Sequence, residues 1–87
     1  MNEHGDKAHN ELILNLDRLH TTELGALRIK RNLGLDIEDI VEWCRRTIDS
    51  PGSCITRKGK NWYAKTGDCE ITINAHSYTV ITAHKTK

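Results

Sequence analysis

Apolar positions recur at helical spacing through the first half of the chain and at alternate positions through the last third. Leu12, Ile13, Leu16 and Leu19, with Glu11, Asp17 and Arg18 on the other side, predict a first helix over roughly 8–19. Thr21 or Thr22 supplies a capping hydroxyl for a second, short helix containing Leu24, Leu27 and Ile29, which Asn32, Leu33 and Gly34 bring to a stop. The clearest stripe is Ile37, Ile40, Val41, Cys44 and Ile48, a third helix capped by Asp36 and ended by Asp49, Ser50, Pro51 and Gly52. Trp43 falls beside that stripe, at the edge of the core.

From Cys54 to Lys85 the period changes to two. The segments CITRK, WYAKT, CEITINA and HSYTVITAHK predict four strands joined by tight turns. Cys69, Ile71 and Ile73 point to one side and Glu70, Thr72 and Asn74 to the other, which separates a helix-packed face from an open polar one. On the last strand Tyr78, Val80, Thr82 and His84 alternate with Thr79, Ile81 and Ala83; the polar ends of the first set turn it outward, although Val80 does not suit that side. The expected fold is α+β, three N-terminal helices packed on a four-stranded antiparallel sheet. It forms one domain over 1–87, with 1–8 as a frayed lead-in, and a chain of this size buries only about 60–65% of its unfolded surface.

Composition changes this picture little. With 37% hydrophobic and 29% charged residues the chain has an ordinary soluble balance. No apolar run approaches the ~20 residues needed to cross a bilayer, and the polar N-terminus, which carries acidic residues, is unlike a secretory signal. A cytoplasmic location without membrane association is expected. Cys44, Cys54 and Cys69 are odd in number and widely spaced, so neither a disulfide framework nor a zinc knuckle is indicated.

Charge is more informative in its distribution than in its total of +1. Residues 1–50 hold seven Lys and Arg against ten Asp and Glu, whereas 51–87 hold six against two. A sheet half with a net charge of +4 fits either of two readings, a surface that attracts phosphate or a solvated charged face. Arg57, Lys58 and Lys60 flank or occupy the first hairpin turn, where Gly59 permits tight geometry, and Trp62 and Tyr63 follow directly. Cations interleaved with rings suit single-stranded nucleic acid, because the cations meet phosphates and the rings stack on unpaired bases. Trp62 is expected in the core; Tyr63 points the other way, and for it core and surface roles stay open.

His76 in the last turn and His84 near the end of the last strand carry imidazoles that titrate near pH ~6.5, suited to general acid or base work. Eight residues of strand would separate them by roughly 26 Å, too far for a pair. His4, His9 and His20 show no ligand spacing such as HExxH, so no metal is expected. Nor is there a nucleophile elbow or a phosphate-binding glycine loop, and no cofactor is expected.

Leu19–Leu35, Arg57–Tyr63 and Ile71–Lys85 resemble a family of small bacterial proteins of unassigned function. More distantly, the order of a helical Arg segment, a helix start GLDIEDI, a basic GKNWY hairpin and a final strand VITA is similar to the barnase–EndoU–colicin–RelE superfamily. That second resemblance implies a metal-independent ribonuclease, in a superfamily many of whose members are toxins, and with it an inhibitory or other protein partner. It departs from related families in lacking a His one turn before Arg28. On this resemblance His84 is base or acid, Arg28 and Arg57 or Lys60 steady the phosphate, Tyr63 or Tyr78 stacks a base, and Asn74 and Thr82 orient RNA alongside Lys58. The alternatives are a binder of nucleic acid without cleavage, and a protein-interaction module whose C-terminal edge strand accepts an added strand.

Overall fold

The computed structural model describes residues 11–86. Residues 11–14 form a helical turn, α1, which passes through Asn15 into a 3-10 turn at Leu16–Arg18. The expected continuous helix is therefore broken at Asn15, whose side-chain amide donates to the Glu11 carbonyl (2.9 Å). Residues 1–10, including the proposed lead-in and the start of that helix, lie outside the described residues.

Helix α2 (Glu23–Leu33) begins where a hydroxyl meets it: Thr22 accepts from the Gly25 amide at 3.0 Å. It ends at Gly34, which takes the left-handed conformation with φ 66° and returns its own amide to the last turn. Helix α3 (Ile40–Ile48) starts later than expected. Asp39 is the cap in place of Asp36, because its carboxylate accepts from the Glu42 amide at 3.0 Å. Ile37 is thus left in the connection, half-buried.

Four strands follow: β1 (Cys54–Lys58), β2 (Asn61–Lys65), β3 (Cys69–Asn74) and β4 (Val80–Lys85), antiparallel and in sequence order across the sheet. The segment 76–79, expected within the last strand, is instead turn and lead-in. Asn74 causes this. Its side-chain oxygen accepts from the amides of His76 and Ser77, both at 2.9 Å, while Tyr78 is driven to φ 61°.

The arrangement is α+β, and one apolar cluster joins the elements. Leu12, Leu16, Leu19, Ile29, Leu33, Ile40, Cys44 and Ile48 from the helical half meet Ile55, Trp62, Ala64, Cys69, Ile71, Ile73, Val80 and Ala83 from the sheet. Register explains which sheet residues take part. Ile55, Ala64, Ile71 and Ala83 stand in one row across all four strands, and Arg57, Trp62, Ile73 and Val80 in another. Both rows face the helices.

The rows between them, led by Glu70 and Thr72, face the other way, as alternation on β3 predicts. On β4 simple alternation fails. A bulge places Ile73 opposite Val80 but Thr72 opposite Thr82, so Ile81 is the extra residue. Val80 and Ala83 both enter the core while Thr82 and His84 face outward, which resolves the misfit of Val80.

The outer edge of β4 is not free along its length. Val80 donates to the His20 carbonyl (2.8 Å), the Thr21 hydroxyl donates to the Val80 carbonyl (2.9 Å), and the Asn32 amide donates to the Ala83 carbonyl (3.2 Å). The Val80 amide and carbonyl and the Ala83 carbonyl of this edge are therefore taken up by the residues before α2 and by its C-terminal end. Among the described residues no strand pairs with the outer edge of β1.

Candidate nucleic-acid interface

No described element covers the sheet face opposite the helices. Three rows of side chains make it: Cys54, Lys65, Glu70 and His84; Thr56, Tyr63, Thr72 and Thr82; and Lys58, Asn61 and Asn74. Cys54, Thr56, Lys58, Tyr63, Lys65 and Glu70 line one open depression of about 480 Å³ on it. Tyr63 stands between two lysines there: Lys65 follows it by two on β2, on the same face about 7 Å away, and Lys58 lies diagonally across on β1, opposite Asn61. The ring is half-buried and Lys58 and Lys65 are exposed.

Glu70 and His84 occupy directly opposed positions on β3 and β4, with Oε1 and Nε2 3.8 Å apart. Counting from Ile73 and Val80 without the bulge would set Glu70 against Ala83, and the extra residue moves His84 into that place. Lys65 neighbours Glu70 on the β2 side. One row thus carries a cation, a carboxylate and an imidazole over three adjacent strands. Sequence reasoning passed over Lys65 and gave Glu70 no role; the available signal was period-two counting back from Tyr63 and His84, but its use depended on the register.

The other residues singled out from the sequence lie apart from this row. Arg57 belongs to a core-facing row at the outer edge of β1: its guanidinium lies 5.5 Å from the Trp62 ring centre and its Nε donates to the Gly59 carbonyl (3.0 Å). The strand carrying His84 is three spacings away, about 14 Å, so Arg57 and His84 share neither face nor edge. Arg28 is exposed on the outward side of α2. Lys60 is exposed in the β1–β2 turn, where its carbonyl accepts from Ala75. Tyr78 is only 7% exposed and packs on Trp62. Asn74 shares the open face, but its side-chain oxygen is committed to the turn described above. Thr82 faces the open side and sits 3.5 Å from the Asn32 amide.

His20 has a structural part. Its Nδ1 lies 3.0 Å from the Arg18 carbonyl, an acceptor only, so this nitrogen carries a proton, and Nε2 lies 3.0 Å from the Thr79 hydroxyl. His4 and His9 lie outside the described residues. Among those described, no three His, Cys, Asp or Glu side chains are grouped as metal ligands, and no helix is long and apolar enough to cross a membrane.

A small α+β domain with one polar sheet face left uncovered by its described elements is the class these observations define. A family model described as a protein of unknown function, DUF3781, matches residues 13–84, and the chain belongs to that family. Curated proteins and solved structures gave no match. The expected family of unassigned function is thereby supported, whereas nothing in the comparisons connects the chain to the barnase–EndoU–colicin–RelE superfamily.

Proposed function

We propose that the open sheet face binds single-stranded RNA. The grouping of Lys58, Tyr63 and Lys65 around one depression carries this reading. A half-buried phenol ring gives a base a flat surface to stack on, and the flanking ammonium groups meet the phosphates to either side. The test is the salt dependence of RNA affinity. Replacing Lys58 and Lys65 together by Gln should lower the log–log salt slope by about 1.4, since each phosphate contact on a single strand contributes about 0.7. Tyr63→Ala should weaken binding by about 1–3 kcal/mol. Arg57→Gln, on the opposite face, should leave the slope near that of the parent. Equal slopes for the parent and the double lysine variant would remove this face from consideration.

The Glu70–His84 contact favours a second reading on the same face, metal-independent RNA cleavage. Attack of a 2′-hydroxyl on the adjacent phosphate, with loss of the 5′-oxygen, needs a base, an acid and a cation near the developing charge. Glu70 takes the first role, His84 the second and Lys65 the third; Arg28 and Arg57 take none. His84→Gln should slow cleavage by about 10²–10⁴-fold with RNA affinity retained, and the products should end in cyclic phosphate. Should the parent leave a broad panel of RNAs intact, both in chelator and with divalent metals, binding alone remains.

A further inference from the structure

Helix α2 carries two large apolar side chains on its solvent side, Leu24 at 72% and Leu27 at 59% exposure. Single exposed leucines are ordinary, so the pair alone specifies nothing. What surrounds them is more specific. At 100° per residue, Glu23, Leu24, Leu27, Arg28 and Arg31 fall on one side of the helix, opposite the buried Ile29 and Leu33. Glu23 and Arg31 lie at equal steps before and after Leu27 on the same stripe, opposite in sign. Among the described residues neither has an ion-pair partner.

We propose that this face joins a second copy of the chain, two α2 helices packing antiparallel about a two-fold axis at Leu27. Such an axis makes the patch self-complementary: each Glu23 meets the Arg31 of the other copy, and Leu24 and Leu27 fill the seam. Antiparallel packing also sets the N-terminus of each helix beside the C-terminus of the other, which favours the dipoles. With two leucines per copy the seam is small and the pair is weak. It forms away from the open sheet face, and its failure would leave the RNA reading standing.

Sedimentation equilibrium of the full chain from micromolar to millimolar concentration tests this. A monomer–dimer equilibrium is expected, abolished by Leu27→Glu without change in the thermal melt, because that side chain is outside the core. Glu23→Arg and Arg31→Glu should each raise the dimer dissociation constant about tenfold, by replacing attraction with repulsion at two symmetric places. The double variant should recover the parent value. A monomer at every concentration, a dimer indifferent to Leu27→Glu, or no recovery in the double variant would overturn the proposal.

Discussion

Trp62 and Tyr78 meet with ring centres 5.2 Å apart and planes tilted by 53°. An arginine caps each end of the stack, Arg57 over Trp62 and Arg18 over Tyr78, the latter 4.5 Å from the ring centre. Two residues with the chemistry to hold RNA, Arg57 and Tyr78, are thus engaged in closing one end of the core. The indole N–H of Trp62 is buried there without a hydrogen-bond acceptor among the described residues. Such a group typically costs about 1–3 kcal/mol, which the burial of two rings offsets.

Tyr78 holds a left-handed backbone, φ 61°, that strains a side chain of its size. Two truncations separate ring packing from backbone strain. Tyr78→Ala should lose about 3 kcal/mol through the lost ring. Tyr78→Gly should lose roughly 1 kcal/mol less, because glycine adopts this backbone freely. Denaturant melts giving the glycine variant equal or lower stability would mean that the turn carries no strain.

Gly25 inverts the usual rule for helices. Alanine normally gains about 1 kcal/mol over glycine in a helix interior. Here an added Cβ would stand 2.5 Å from the Thr21 hydroxyl and 3.1 Å from that of Thr22. The first of these hydroxyls bonds the Val80 carbonyl and the second caps α2. Displacing both forfeits about 1 kcal/mol each, so Gly25→Ala should destabilise the protein by about 1 kcal/mol net. A raised melting temperature would show that the Thr21–Val80 tie is dispensable.

Burial, aided by nearby Cys69, pushes the Cys44 thiol up from 9.0 to about 12. The folded state therefore keeps a proton that the unfolded chain begins to lose near pH 9. This contribution is complete below that pH and is lost as pH rises toward 12, at most about 1.4 kcal/mol per pH unit. The stability difference between the parent and Cys44→Ala should accordingly shrink above pH 9. A difference independent of pH would overturn the assignment. Exposed Cys54 should also react with thiol reagents before buried Cys44 and Cys69 do.

How far the sequence foretold the structure depended on the range of the interactions involved. Stripes such as Ile40, Cys44 and Ile48, and the alternation of Cys69, Ile71 and Ile73, are local patterns that mark buried faces directly. Competing caps were harder: Asp36 and Asp39 are chemically identical, and only the amide of Glu42 decides between them. The open face was foreseen on β3, but its partners on β2 and β4 depend on register, which no single segment encodes. Arg57 shows the limit most clearly. Sequence proximity set it among the basic hairpin residues, while pleat parity sent it to the opposite face from Lys58.

The bulge at Ile81 also bears on how this sheet tolerates changes in length. The core grips Val80 on one side and Ala83 on the other, and between them the chain has one residue more than pairing with Ile73, Thr72 and Ile71 requires. That residue is a spare link. A chain shortened by one at Ile81 would still set Thr82 against Thr72 and His84 against Glu70, whereas a shortening inside β3 would turn part of that strand over. Gaps confined to this point of β4 are therefore compatible with an unchanged open face, and relatives differing there by one residue would present the same side chains to whatever binds it.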